Sequence, residues 1–195
     1  MSIASGKLAL ACLSVSVVLA VSGCASTSST RAKSLKSTSA QANSLADCQD
    51  ITVTAFTVPG HGKVDASVGV SFAKDIELRL SRDFGQIFDS VEFGDAARGV
   101  EKECLLQGSI TKYKPGSRVA RAILIGLGAA SFEGNVSVND AATGTSLMTA
   151  PFDKLWAWGG IAGASKGIDD MVKETSASVA ATVARAKGWS GEAPK

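Results

Sequence analysis

A single positive charge at Lys7, an apolar run from Leu8 onward and the tetrapeptide Val21-Ser22-Gly23-Cys24 stand at the head of the chain. That order reads as a bacterial lipoprotein signal, in which small residues precede the cut and the cysteine becomes the lipid-bearing N-terminus. A membrane-spanning anchor is the rival reading, but the stretch from Leu8 to Gly23 falls short of the roughly 20 apolar residues that a bilayer requires, and serines and a glycine interrupt it. Residues 1–23 are therefore set aside as a signal peptide, and Cys24 is the expected site of lipidation. The next residues, Ala25 and Ser26, lack the aspartate that retains many lipoproteins at the inner membrane, so a periplasm-facing position on the outer membrane is favoured.

Residues 25–46 are Ser, Thr, Ala, Lys, Gln and Asn with almost nothing apolar to bury. Such a segment cannot offset its ordering entropy and reads as a flexible tether, with a reach of roughly 25 Å as a coil. The division expected is a signal peptide over 1–23, a lipidated N-terminus and tether over 24–47, a single folded domain over 48–188 and a disordered tail over 189–195. The whole chain carries 20 Lys and Arg against 18 Asp and Glu, and a near-neutral balance provides no broad field to hold nucleic acid. The partners expected are the membrane, through the lipid, and an envelope protein.

Of the four cysteines, Cys12 lies in the signal and Cys24 accepts lipid. Cys48 and Cys104 remain as an even pair in an exported chain, where a disulfide is the default. Metal binding is not expected, because His61 is the only histidine and no close Cys/His spacing accompanies it. No cofactor is expected either.

The folded part begins with Ile51-Thr52-Val53-Thr54-Ala55-Phe56, whose alternation predicts a half-buried strand with Ile51, Val53 and Ala55 on one face. Phe72, Ile76, Leu80, Phe84 and Phe88 then recur at helical spacing, predicting an amphipathic helix over about 66–84. Val91 and Phe93 suggest a short strand, and Cys104, Leu106 and Ile110 share one face of a longer one that ends at Tyr113. A hairpin follows, with strands over 132–139 and 146–155 and Gly144 at the turn. Ile168, Met171, Val172, Thr175, Val179, Val183 and Ala186 then mark one side of a last helix that Gly188 stops. This is the pattern of a two-layer or three-layer α/β domain with a single mixed β-sheet and amphipathic helices packed on it, most simply on one face.

Leu106-Gln107-Gly108-x-Ile110, Tyr113-x-x-Gly116-Ser117-Arg118, Arg121, Gly126-x-Gly128 and Asp140-x-x-Thr143-Gly144, in that order, resemble an uncharacterised bacterial lipoprotein family known only as a domain of unknown function. The resemblance spans about 48–187 and rests on glycine and arginine positions. It implies an α/β fold and says little about chemistry. That family is in turn distantly similar to periplasmic α/β accessory lipoproteins that assist curli secretion or activate cell-wall synthases. Ala129 and Ala130 follow Gly128, where a further glycine is common in the family.

Short matches to catalytic motifs occur without the structural context that each chemistry requires. Gly163-Ala164-Ser165-Lys166-Gly167 fits G-x-S-x-G, but a nucleophile elbow needs a histidine later in the chain, and His61 precedes it. Ser71-Phe72-Ala73-Lys74 fits S-x-x-K without the K-T-G of a penicillin-binding enzyme, so Ser71 reads as a small helical residue. Gly126-x-Gly128-x-x-Ser131 lacks the third glycine of a dinucleotide fingerprint and precedes a strand, not a helix. Arg118 and Arg121 have the chemistry to hold an anion, against the plainer reading of solvated arginines beside a strand. Trp156 and Trp158 share one face of an extended segment, which suits core packing or, less simply, sugar stacking.

No catalytic group is assigned. The function expected is a non-catalytic, membrane-anchored lipoprotein whose domain binds a protein partner, with Gly126, Gly128, Trp156, Trp158 and Gly160 as the candidate surface. The alternative is a small-ligand or glycan binder, or less simply a hydrolase. An exposed strand edge or apolar patch favours the first, and a pocket uniting the arginines with the tryptophans favours the second.

Overall fold

The computed structural model describes residues 44–58, 64–117, 119–120, 128–156 and 166–192, and of Trp156 the backbone alone. Cys24, His61, Arg118, Arg121, Gly126, Trp158 and Gly160 lie outside the described residues. In chain order the elements are β1 (Asp50–Val53), α1 (Ser67–Phe84), β2 (Ser90–Phe93), β3 (Glu103–Lys114), β4 (Ala130–Asp140), β5 (Ser146–Trp156) and α2 (Ile168–Lys187). The strands form one mixed sheet in the order β2-β1-β3-β4-β5, with β1 parallel to both neighbours and β3, β4 and β5 successively antiparallel. Both helices lie on one face: α1 packs over β1 and β2, α2 over β4 and β5, and the two pack on each other. The result is a two-layer α/β domain, with the core between the layers.

Period-two alternation decides which side chains enter that core. Leu106 and Ile110 of β3, Phe132, Val136 and Val138 of β4, and Met148, Ala150 and Phe152 of β5 are all buried toward the helices. Phe56, Phe72, Phe132 and Phe152 form an aromatic cluster, with Phe72 edge-on to Phe56 at 4.9 Å and to Phe132 at 5.0 Å. Two strand glycines make room for it. A Cβ at Gly108 would sit 2.3 Å from the Phe56 ring, and one at Gly134 would sit 2.4 Å from the ring of Phe152. The glycine of the Leu106-Gln107-Gly108-x-Ile110 pattern is thus a seat for an aromatic ring.

The alternation of the first strand breaks after Val53. Ile51 and Val53 are buried as expected, but Ala55 is exposed and Phe56 takes its place in the core. The chain bends there so that Phe56 N–H reaches the carbonyl of Gly69 on α1, while Thr57 returns to bridge Ser109 on β3. Helix and strand meet so closely that a Cβ at Gly69 would lie 2.0 Å from the Phe56 carbonyl oxygen.

Two expected boundaries shift. Leu45, read as tether, is fully buried, and its N–H bonds to the Ala186 carbonyl at the end of α2. One leucine in a polar run carries too little pattern to announce this. At the other end Trp189, read as tail, closes α2: its N–H reaches the Ala184 carbonyl at 2.9 Å while Gly188 N–H reaches Arg185, a Schellman cap. Its ring then packs edge-on to Phe84 at 5.0 Å. The Cys48–Cys104 disulfide is formed, with Cα atoms 5.6 Å apart, because β1 and β3 pair with Ile51 opposite Cys104.

Candidate interaction surface

The last strand is the longest free margin of the sheet. β5 pairs with β4 from Ser146 to Trp156, and no described strand pairs with its other side. An edge of 11 residues that no described strand covers invites strand pairing, which proteins blunt with proline or charge. Pro151 stands at its middle, where a missing N–H is tolerated only on an outward-facing edge position. Beyond it, Leu155 is 64% exposed.

Leu155 lies opposite Ser131, which lies opposite Lys114, so it stands at the end of the sheet where β3 stops and β4 starts. Beyond that end the chain leaves through Lys114, Pro115 and Gly116, where Ser117 N–H bonds to the Gly128 carbonyl at 2.9 Å and closes a neck. Gly128 takes φ +68°, and a Cβ there would lie 2.5 Å from the Ser117 carbonyl oxygen. The fold itself therefore uses the glycine at this position. Val119, just past the neck, is 72% exposed.

At the same end Tyr113 packs edge-on to Phe132 at 6.1 Å. Burial, with a smaller push from the Asp169 carboxylate, raises its phenol above the ordinary value, so it stays a neutral donor. Ala130 pairs with Trp156, the outermost described pair of the hairpin at this end. The glycine-rich stretches beyond it, and with them Arg118, Arg121, Gly126, Trp158 and Gly160, lie outside the described residues. Ser71 is an exposed residue of α1. Among the described residues no cluster of acidic, histidine or cysteine side chains is suited to a metal ion, and no helix is long and apolar enough to cross a membrane.

The sheet face away from the helices has its own organisation, which sequence reasoning missed. Residues 94–102 cross it over β2 and β1, and Arg98 there pairs with Glu92 at 2.8 Å, Asp50 at 3.2 Å and Glu103 at 3.5 Å. Glu103 is buried beneath. Burial pushes its carboxyl up, but bonds from the Arg98 N–H, the Thr52 hydroxyl and the Gly99 N–H outweigh this and hold it down at about 2. A lone Glu ahead of an apolar strand gave no sequence signal for this role.

Residues 62–160 match the family described as a domain of unknown function, DUF4410, which is just over half of the chain. The chain belongs to this family. The match runs from the approach to α1 through β5, so the family's shared part holds the whole edge. Among solved structures, this DUF4410 chain is similar to the PelC dodecamer from Paraburkholderia phytofirmans, at 15% identity and a TM-score of 0.56, covering 80% of this chain and 99% of that one. A point variant of the same dodecamer gives 13% identity and a TM-score of 0.54, covering 80% and 98%. A DUF330 protein from Xanthomonas campestris shares 14% identity at a TM-score of 0.37, covering 66% and 79%. The two PelC likenesses concern the fold alone. No curated protein matches the chain.

Proposed function

We propose that this chain is a lipid-anchored, non-catalytic accessory domain of the bacterial envelope that works by docking on protein chains through its β5 edge. The observation that carries the reading is the long β5 margin, which near its end, just after Asp153 and Lys154, carries a leucine 64% exposed. Pro151 removes one outward N–H, so pairing is confined to the two halves of the strand and a partner must register with them. That PelC, of the same fold, is a dodecamer supports copies of the chain itself as a first partner. The sequence from Lys7 to Cys24 supports the anchor, and Ala25 and Ser26 support the outer membrane.

Two measurements test the reading. Intact mass of the exported protein is expected to show acyl chains on Cys24, each buried CH₂ adding about 0.8 kcal/mol to membrane affinity; an unmodified cysteine contradicts the anchor. Leu155→Lys is expected to abolish complexes captured by chemical crosslinking in whole cells, with the melting temperature of the domain unchanged. Capture that persists at the wild-type level contradicts docking at this edge.

A further inference from the structure

We propose that the open face of the sheet, beside the loop that carries Arg98, is a groove for a neutral polyhydroxylated chain, that is, a glycan without charged groups. The groove has a volume of about 560 Å³ and runs from the segment that follows β1 (Thr54, Ala55 and Thr57) across β3 and β4 to β5. Its floor is two rows set by register. Gln107 lies opposite Ser137, which lies opposite Thr149, and in the next row Thr57 bridges Ser109, which lies opposite Asn135.

Neighbouring strands stand about 4.8 Å apart and same-face residues about 6.8 Å apart, so these side chains form a flat lattice of hydroxyls and amides. Thr54 extends it beside the first row, and no lining residue is ionisable. Of the charges around it, Lys112 pairs with Glu133 at 2.6 Å and Arg98 with its three carboxylates, and the exposed Asp153, opposite Glu133, lies outside the lining.

The character of the lattice selects its occupant. Gln107, Ser109, Asn135 and Ser137 have no side-chain hydrogen-bond partner among the described residues, so their donors and acceptors face outward. An apolar chain laid on them would leave each of those groups without a partner. An ionic chain would give up its water with no counter-charge beneath it. A neutral glycan presents hydroxyls that both donate and accept, which is what a mixed lattice of hydroxyls and amides can satisfy from either side. The Pro151 ring, across from Asn135 and exposed, adds an apolar border for sugar C–H groups. Pro151 borders both the groove and the β5 edge, but Gln107, Ser109, Asn135 and Ser137 lie on β3 and β4, so variants there and Leu155→Lys test the two surfaces separately.

The full chain in mild detergent, labelled with ¹⁵N, is to be titrated with cellohexaose, maltohexaose and chitohexaose as neutral probes, and with polygalacturonate and chitosan oligomers of equal length as charged ones. At least one neutral probe is expected to shift the amide resonances of Gln107, Ser109, Asn135 and Ser137. Asn135→Arg and Ser137→Arg, both on the solvent-facing side of β4, are expected to weaken that binding at least tenfold with the melting temperature unchanged. The proposal is overturned if no neutral probe moves these resonances, if a charged probe binds as tightly, or if binding survives both arginines together.

Discussion

Glu103 is the residue on which the open face turns, because one buried carboxylate holds the loop over residues 98–100, the Thr52 hydroxyl and the Arg98 guanidinium at once. Its carboxyl lies at about 2 in the folded chain against an ordinary 4.5, so the stability it contributes is fully present above about pH 4.5 and is lost as pH falls toward 2. Glu103→Gln keeps the size and removes the charge. Urea unfolding at pH 7 is expected to show a loss of about 1–3 kcal/mol, and the difference between the two proteins should narrow between pH 4.5 and 2. A constant difference across that window would mean that the charge is not what holds the loop. Gly69 presents a contest of two magnitudes. Alanine is better than glycine inside a helix by about 1 kcal/mol, but a Cβ at Gly69 would lie 2.0 Å from the backbone oxygen of Phe56, and forcing helix from strand costs about 1–3 kcal/mol. Gly69→Ala is therefore expected to lower the melting temperature, whereas Gly85→Ala, where a Cβ meets nothing within 4 Å, should not.

At the scale of elements, each helix was readable in proportion to the size of its buried side chains. Phe72, Ile76, Leu80 and Phe84 announce α1 and all lie in the core. α2 was read over the same residues, but not its burial on every side. Its residues from Ser178 to Ala184 are all buried, because α1, the sheet and the turn at Leu45 close around it, and a helix of Ala, Ser and Thr packed on every side does not look apolar from sequence. Its buried hydroxyls are satisfied within the helix, Thr175 donating to the Met171 carbonyl and Thr182 to that of Ser178. At the helix pair Ser176 joins Asp75 and Arg79 of α1, a polar contact that spacing alone did not suggest. The disulfide, by contrast, was legible by elimination of the other cysteines. It closes a loop spanning 56 positions and on the loop-entropy account contributes about 4 kcal/mol. The double variant Cys48→Ala, Cys104→Ala is expected to lose stability of that order in urea unfolding, and equal stability with and without the bond would refute the assignment.

For the whole molecule, the mixed sheet and its helices were legible in the sequence, because strand alternation and helical spacing each occupy their own part of the chain, whereas two layers against three was decided by both helices packing on one face. The candidate surface was legible only at its rim. The hairpin through Gly144, at φ +69°, forms as expected, yet Leu155 counted in sequence as one more strand residue, and its exposure follows only from β5 standing last in the order. Strand order is a non-local property, which is why the edge was hidden. The account predicts that the chain is built to be joined along that margin. A photo-activated crosslinking residue placed at Leu155, and separately at Leu78 on α1, which is exposed but not on the sheet edge, tests this directly in intact cells expressing the full chain. Discrete crosslinked species from position 155, with copies of the chain among them, and none from position 78 are the result expected. No crosslinked species from position 155, or the same species from both positions, would contradict the account.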